Sequence, residues 1–215
     1  MSKDLYKKSD ENDIKTGNYL PIVEEFYSIQ GEGYHAGKPS YFIRVGGCDI
    51  ACHFCDTKIS WNKNFHKKIS VKDIVKKVIE TAAKNVVVTG GEPTMYNLEL
   101  LAAEINKNSI ESFLETSGAY PITGQWDWIC LSPKQQKPPL PENLLLANEL
   151  KVVISTEKDF QWAEKWRKHV NKNCKLFLQP EFSCFENIID KIVEYTKENP
   201  AWNVSLQIHK FMRIP

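Results

Sequence analysis

Short, continuously apolar segments alternate with amphipathic segments along most of the chain. The apolar runs predict buried strands at 41–45, 85–89, 112–115, 128–131, 150–154, 175–179 and 203–208. The spacing of apolar residues predicts helices at 70–83, 97–107, 156–170 and 185–198. Buried strands separated by helices favour parallel strands joined by right-handed crossovers. Six or seven such units predict an α/β fold, a partial, trimmed (β/α)6-type TIM-like barrel with parallel strands, rather than the full eight-unit closure.

The ends of these predicted elements carry further detail. Ser70 is placed to cap the helix at 70–83, with Asp73 as its capping-box partner. The helical stretch between residues 121 and 132 is short, so we expect the barrel to be trimmed there. The few residues after 208 are too short for another helix, but their apolar side chains should pack over the barrel mouth.

Size and charge favour one domain. A chain of 215 residues with 42% hydrophobic residues can bury a sizeable core. Residues 1–18 are polar and predict a disordered tail, which leaves 19–215 as the domain. The net charge of +1 gives no sign of a nucleic-acid partner. Neither a signal peptide nor a membrane span is indicated, which predicts a cytoplasmic protein whose thiols stay reduced.

Polar and glycine-rich motifs follow the predicted strands one after another. They are GGC (46–48), GGEP (90–93), ETSG (115–118), SPK (132–134) and QPEF (179–182). Parallel α/β folds bind their ligands at the carboxyl ends of the strands. Five such motifs on one rim therefore predict a binding site.

Three cysteines in one of these motifs predict a metal centre. Cys48, Cys52 and Cys55 have the spacing Cys-x3-Cys-x2-Cys, and soft thiolates favour zinc, copper(I) or iron–sulfur clusters. A closed structural zinc site and an ordinary 4Fe–4S cluster each use four protein ligands. Three ligands leave one position open, which favours chemistry. A structural zinc knuckle with a distant fourth ligand, such as Cys130, Cys174, Cys184 or a histidine, is the alternative.

Two charged residues near the rim allow more than one interpretation. Arg44 lies within an apolar strand, so its charge needs a partner. That partner is either an Asp or Glu of the chain or a ligand carboxylate, which arginine binds bidentately. Glu92 of GGEP is either a hydrogen-bond acceptor for a ligand ammonium group or a solvated residue of a tight turn.

Taken together, these motifs resemble a known family. The cysteine spacing, with Phe54 before the last cysteine and GGEP one βα unit later, resembles radical S-adenosylmethionine (SAM) enzymes. Further motifs are similar to the 7-carboxy-7-deazaguanine synthase family of that superfamily. They are YSIQGEGYHAGKPSYFIRVGGC, CDT, VVVTGGEP, ETSG, SPK, LQPEF and LQIHK, and they run in order from about residue 24 to the C-terminus.

The resemblance implies the cofactors and the residues that bind them. Residues 19–215 would form a single radical SAM core domain. The three cysteines would hold a 4Fe–4S cluster, and SAM would chelate its open iron through its amino and carboxylate groups. The residues implied in the SAM pocket are Phe54, Cys55, Asp56, Gly91, Ser132, Pro133, Lys134, Gln179, Pro180, Glu181 and Phe182.

The resemblance also implies the substrate and the reaction. The enzyme would be a lyase of queuosine and 7-deazapurine biosynthesis that converts 6-carboxy-5,6,7,8-tetrahydropterin to 7-carboxy-7-deazaguanine, with loss of ammonia. The Thr57 hydroxyl would bind a Mg²⁺ ion that also binds the substrate. Glu115 would carry a proton or bind a ribose. The residues implied in pterin binding are Ile29, Gln30, Gly31, Arg44, Thr89 and Pro215.

Partners and rival functions complete these expectations. The family implies an external electron donor, such as flavodoxin or ferredoxin, and a homodimer. One rival function is an activase that removes hydrogen from a glycine of a partner protein. Another is a metal-binding interaction module without catalysis.

Overall fold

The computed structural model describes residues 14–215. Residues 1–13 of the predicted tail lie outside this range, so the prediction of a disordered tail is not tested. Residues 14–18 lead into the first strand, and Ile14 packs against the hydrophobic core. No helix within the described range is both long enough and apolar enough to cross a bilayer.

One nine-stranded sheet forms the centre of the described chain. Its strands are β1 (Tyr19–Ile29), β2 (Pro39–Val45), β3 (Lys67–Ser70), β4 (Asn85–Gly90), β5 (Glu111–Thr116), β6 (Trp128–Leu131), β7 (Glu149–Ile154), β8 (Lys175–Pro180) and β9 (Trp202–Val204). Their order is β3-β1-β2-β4-β5-β6-β7-β8-β9. From β2 through β4 to β9, neighbouring strands are parallel, which confirms the predicted parallel barrel. The sheet is open, with β3 and β9 at its edges.

The helices are α1 (Val71–Ile79), α2 (Glu99–Lys107), α3 (Pro141–Leu146), α4 (Lys158–Arg167), α5 (Phe185–Glu198) and α6 (Ile208–Met212). Short 3-10 turns occupy Lys58–Trp61, Lys63–Phe65, Pro93–Met95 and Phe182–Cys184. Ser70 caps α1 as predicted, because its hydroxyl accepts from the backbone N–H of Asp73 at 3.2 Å. The Asp73 carboxylate accepts from the Ser70 hydroxyl at 2.6 Å. In a capping box it would accept from the Ser70 backbone N–H instead.

The structure differs from the sequence prediction at both ends of the sheet. β1 pairs antiparallel with β2 and with β3, and neither β1 nor β3 was predicted. β1 was missed because much of it is only partly buried, so it lacks a continuous apolar run. The last strand ends at Val204, and Ile208–Met212 is a helix, so the prediction that this end is too short for one was wrong.

Alternation along the strands separates the inside of the barrel from its outer layers. One apolar cluster lies under α1 and α2, and a second lies under α4 and α5. Inside the barrel, Phe42 of β2, Val87 of β4 and Phe113 of β5 pack together. Since side chains of a strand alternate between faces, the residues two positions further along also point inward. Phe42, Val87 and Phe113, here called the aromatic layer, therefore close one end of the barrel and leave polar residues at the carboxyl end.

Candidate active site

A cavity of about 270 Å³ opens at the carboxyl ends of the parallel strands. Its inner wall carries the residues that follow the aromatic layer, Arg44 on β2, Thr89 on β4, Glu115 on β5 and Lys151 on β7. The rim motifs predicted from the sequence all contribute to its lining. The cavity therefore lies where the parallel α/β fold was expected to bind a ligand.

The cysteine loop forms one end of the cavity. Cys48, Cys52 and Cys55 all line it and are all free thiols. The loop is fixed by its backbone, since the N–H of Cys48 donates to the carbonyl of Trp61 at 3.1 Å. A Cβ at Gly91 would lie 2.2 Å from the carbonyl oxygen of Gly47. GGEP therefore packs directly against the cysteine loop, and only glycine fits at this position.

The chemistry of this loop fits a 4Fe–4S cluster. The three thiols are the soft donors that such a cluster needs, and the indole N–H of Trp61 donates to the Cys55 sulfur at 3.3 Å. Burial raises the pKa of the Cys48 and Cys52 thiols, so iron binding would release their protons. No three His, Cys, Asp or Glu side chains within residues 14–215 are arranged to hold one metal ion.

The residues predicted for SAM lie beside the cysteines. Only Pro133 does not line the cavity, because it is buried behind the wall. Lys134 is turned back onto its own segment, and its ammonium group donates to the carbonyl and hydroxyl oxygens of Ser132 at 2.8 and 2.7 Å. Burial lowers the pKa of Lys134. The predicted residues that line the cavity here are Phe54, Cys55, Asp56, Gly91, Ser132, Lys134, Gln179, Pro180, Glu181 and Phe182.

All residues predicted for the pterin line the same cavity, namely Ile29, Gln30, Gly31, Arg44, Thr89 and Pro215. Arg44 has a partner within the chain, because its Nε donates to Glu24 Oε1 at 2.7 Å. The ion pair is partly exposed, with 21% and 49% of the two side chains accessible. The structural partner is therefore confirmed, and binding of a ligand carboxylate by Arg44 stays a prediction.

Thr57 does not line the cavity. It precedes the 3-10 turn Lys58–Trp61, and its hydroxyl donates to Asp56 Oδ1 at 3.1 Å without capping the turn. Its neighbours Cys55 and Asp56 do line the cavity.

The C-terminal segment lies against a loop at the cavity mouth, the glycine-rich loop of residues 30–33 (QGEG). The backbone N–H of Ile208 donates to the carbonyl of Gly31 at 2.9 Å, and Ser28 donates its hydroxyl to a Pro215 oxygen at 3.2 Å. A Cβ at Gly31 would lie 2.1 Å from His209 Nδ1, so this close approach requires glycine. The predicted packing of the last apolar residues is only partial, since 56% of Phe211 and 46% of Met212 remain exposed.

Glu92 is not the solvated turn residue of one interpretation, and its contact with a ligand ammonium group stays a prediction, since it lines the cavity. It is 1% exposed, and its carboxylate accepts from the Thr94 hydroxyl at 2.7 Å and from the Ser117 backbone N–H at 2.8 Å. It also accepts from the Thr116 hydroxyl at 2.5 Å. Both oxygens of this buried carboxylate are therefore satisfied by the protein, and Glu92 braces the GGEP turn against the end of β5.

Sequence reasoning missed Glu32, Lys151 and Gln207, which also line the cavity. Lys151 is 4% exposed and forms an ion pair with Glu32, whose other oxygen accepts from the Gln207 side chain at 2.8 Å. The signal was present in LKVVI, where a lysine interrupts an apolar strand. The argument that singled out Arg44 applies equally to Lys151.

A parallel barrel with a three-cysteine loop at its carboxyl rim defines the radical SAM class, and residues 42–129 match the Radical SAM superfamily. The chain belongs to the 7-carboxy-7-deazaguanine synthase family of this class. It is 49% identical to a 7-carboxy-7-deazaguanine synthase of Flavobacterium psychrophilum, over 94% of this chain and 96% of that protein. It is 42% identical to the one from Synechocystis, over 94% and 97%.

A solved structure shows the same architecture. The crystal structure of QueE from Escherichia coli matches with a TM-score of 0.81 and 27% sequence identity, over 93% of this chain and 99% of that chain. The match extends over nearly the whole of both chains. The radical SAM class implies a 4Fe–4S cluster and SAM as cofactors.

Proposed function

We propose that this protein converts 6-carboxy-5,6,7,8-tetrahydropterin to 7-carboxy-7-deazaguanine, with release of ammonia. One observation carries the proposal: a single cavity joins the three-cysteine loop to the residues expected to bind the pterin. Relatives that match over nearly their whole length carry the name of the product. The protein would therefore act in queuosine or 7-deazapurine biosynthesis.

At the cofactor end, Cys48, Cys52 and Cys55 would hold the cluster, and the neighbouring rim segments would hold SAM. When bound, these groups supply a one-electron cleavage of SAM that starts hydrogen abstraction from the substrate. The protein itself would orient the two molecules. Gly91 lets the GGEP turn pack directly against the cysteine loop, and Lys134, held by Ser132, places a half-buried cation in the cavity wall.

At the substrate end, side chains would fix the pterin by its polar edges. Arg44 would face its carboxylate side, and Ile29, Gln30, Gly31 and Thr89 would contact its ring. The carboxylate of Pro215 would accept from the guanidine-like edge of the pterin, which presents N–H donors. The contact between the Ser28 hydroxyl and Pro215 supports this, because it holds the end of the chain beside β1.

A Mg²⁺ ion is part of this proposal. Magnesium takes few protein ligands and keeps several waters, so the Thr57 hydroxyl and oxygens of the substrate would suffice. Support comes from the adjacency of Thr57 to Cys55 and Asp56, which line the cavity at its cofactor end. In this position the ion would orient the substrate carboxylate.

The reaction would also need partners and a suitable compartment. An external one-electron donor such as flavodoxin or ferredoxin would supply the electron. The protein would act as a homodimer in the cytoplasm, where its cysteines stay reduced. We do not favour the activase or the non-catalytic module, because relatives named as synthases cover this chain almost completely.

Anaerobic incubation with the carboxytetrahydropterin, SAM, Mg²⁺ and dithionite tests the proposal. We expect one equivalent of 7-carboxy-7-deazaguanine and one of ammonia per pterin consumed, identified by mass spectrometry. A protein that binds a cluster and cleaves SAM but leaves the pterin unchanged would contradict the substrate. A protein that binds zinc and does not cleave SAM would contradict the reaction class.

A further inference from the structure

A lysine is buried at the base of the substrate end of the cavity. Lys151 is 4% exposed and lies on the inner face of β7. Removing an ammonium group from water costs several kcal/mol unless close carboxylates compensate. The compensation comes from two sides, since Lys151 pairs with Glu32 and lies 3.6 Å from Glu115.

These three residues and Gln30 form a closed ring of contacts. Glu115 Oε1 accepts from the Gln30 side-chain amide at 2.9 Å, and its Oε2 faces Lys151. The Gln30 side-chain oxygen in turn accepts from the backbone N–H of Glu32 at 3.1 Å, and the Glu32 carboxylate pairs with Lys151. Both ends of the Gln30 amide group are therefore hydrogen-bonded, one to Glu115 and the other to Glu32, and Lys151 contacts both of these residues.

The same ring extends to the C-terminal segment. Glu32 uses its second oxygen to accept from the Gln207 side chain at 2.8 Å. Gly31, next to Glu32, accepts from the backbone N–H of Ile208 at 2.9 Å. A displacement of Glu32 would therefore move both the glycine-rich loop and the start of α6.

Charge supports the same conclusion. Burial alone would raise the pKa of Glu32, but Lys151 and hydrogen bonds from Lys151, Gln207 and Gln179 lower it to about 2. Burial alone would lower the pKa of Lys151, but nearby acidic groups, including Glu115 and Glu32, raise it well above its usual value. Buried ion pairs seldom stabilise a fold more than apolar packing of the same volume does. The ion pairs of Lys151 are therefore better explained by the positions in which they hold Glu32 and Glu115 than by a gain in the stability of the fold.

We propose that Lys151 is a positioning residue for the substrate: by holding Glu32 and Glu115 it fixes Gln30, Gly31 and the C-terminal segment in their binding positions. The inference rests on the proposed function, in which these residues bind the pterin. Lys151 acts through its neighbours, and its ion pairs are with Glu32 and Glu115 rather than with the cysteine loop.

Lys151→Met tests this, because methionine keeps the volume and removes the charge. We expect the KM for the pterin to rise about 10- to 100-fold, as a misplaced binding group would cause. Calorimetry should show the same loss of pterin affinity. SAM cleavage by dithionite without the pterin should be unchanged. Lys151→Arg should recover part of the affinity, because it restores the cation.

Two further variants separate positioning from stability. Lys191→Met is the matched control, because Lys191 is exposed, pairs with Glu157 on the surface and should leave both measurements unchanged. The double variant Glu32→Gln with Lys151→Met has the same net charge in the ring as the wild type. The double variant should fold even if the single variant does not, and its affinity for the pterin should remain well below that of the wild type.

Three outcomes would overturn the inference. One is an unchanged KM and pterin affinity in Lys151→Met. Another is wild-type affinity in the double variant, which would show that Lys151 only balances charge. The third is a loss of SAM cleavage equal to the loss of pterin binding, which would indicate general damage. A wild-type protein that does not bind the pterin would instead contradict the proposed function, and this inference with it.

Discussion

The two ends of the cavity are built in different ways. At the cofactor end, the three cysteines and the residues between them come from one loop directly after β2. At the substrate end, the lining comes from residues as far apart as Ile29 and Pro215. The cysteine loop depends on local spacing. The substrate end, like the rim segments expected to bind SAM, depends on strand register and on contacts across the barrel. We therefore expect single substitutions of the cysteines to abolish activity, and single substitutions at the substrate end to reduce it by different amounts.

The largest expected effect is loss of the cluster. Changing Cys48, Cys52 or Cys55 to Ala should abolish iron and sulfide binding, the visible absorption of the cluster and all SAM cleavage, because each thiolate holds a different iron. Cys174→Ala is the control, since this half-buried cysteine does not line the cavity. Iron and sulfide analysis after anaerobic reconstitution measures the result. Cluster loss in Cys174→Ala would contradict the three-ligand assignment.

Thr57→Ala should separate the two ends. The variant should keep the cluster and should still cleave SAM slowly under dithionite. It should lose most pterin turnover and the dependence of turnover on Mg²⁺, because the proposed ion would lose its protein ligand. Product formation across a magnesium titration measures this. If turnover and the magnesium response match the wild type, the Thr57 hydroxyl serves only its contact with Asp56.

Extra residues after Pro215 should weaken the substrate end alone. They replace the terminal carboxylate with an amide, so pterin turnover should fall about 10- to 100-fold. SAM binding should survive, and calorimetry with each ligand distinguishes the two. Lys191→Met in the chain without the extension is the control, because Lys191 is exposed and pairs with Glu157 on the surface. Equal turnover with and without the extension would exclude the C-terminus from the site.

The smallest effect should come from Arg44 and its partner. Arg44→Met should raise the KM for the pterin several-fold while thermal stability changes little, since partly exposed ion pairs contribute only about 0–1 kcal/mol. Glu24→Gln removes the ion pair but keeps the arginine, so its KM should stay close to that of the wild type. If both variants raise KM equally, Arg44 serves the ion pair and not the ligand.

Much of the fold and of the cofactor end could be predicted from sequence. Strand 128–131 and helix 185–198 were predicted with the bounds that the structure has, and the other predicted elements were shifted by a few residues. The short helices α3 and α6 were not predicted. Apolar periodicity is a local property, so it survives without tertiary information. β1 and β3 were missed because much of β1 is only partly buried and half of β3 is exposed, so neither needs a continuous apolar run.

Contacts between distant residues were the part that sequence could not supply. Nothing in GGEP indicates that Glu92 is buried against Thr116 and Ser117, and nothing near Arg44 indicates Glu24 as its partner. Pairing across β1 and β2 brings Glu24 opposite Arg44, so this contact follows from register.

Local patterns were sufficient for the alternating strands and helices, the three-cysteine loop and the family, because periodicity and motif spacing act over a few residues. The assembly of the substrate end follows from the folded barrel. The contact between Lys151 and Glu32 joins residues 119 positions apart, and the one between Gln30 and Glu115 joins residues 85 apart. The physical reason is that such contacts require the strands to fix their register and the barrel to curve, which no local pattern records.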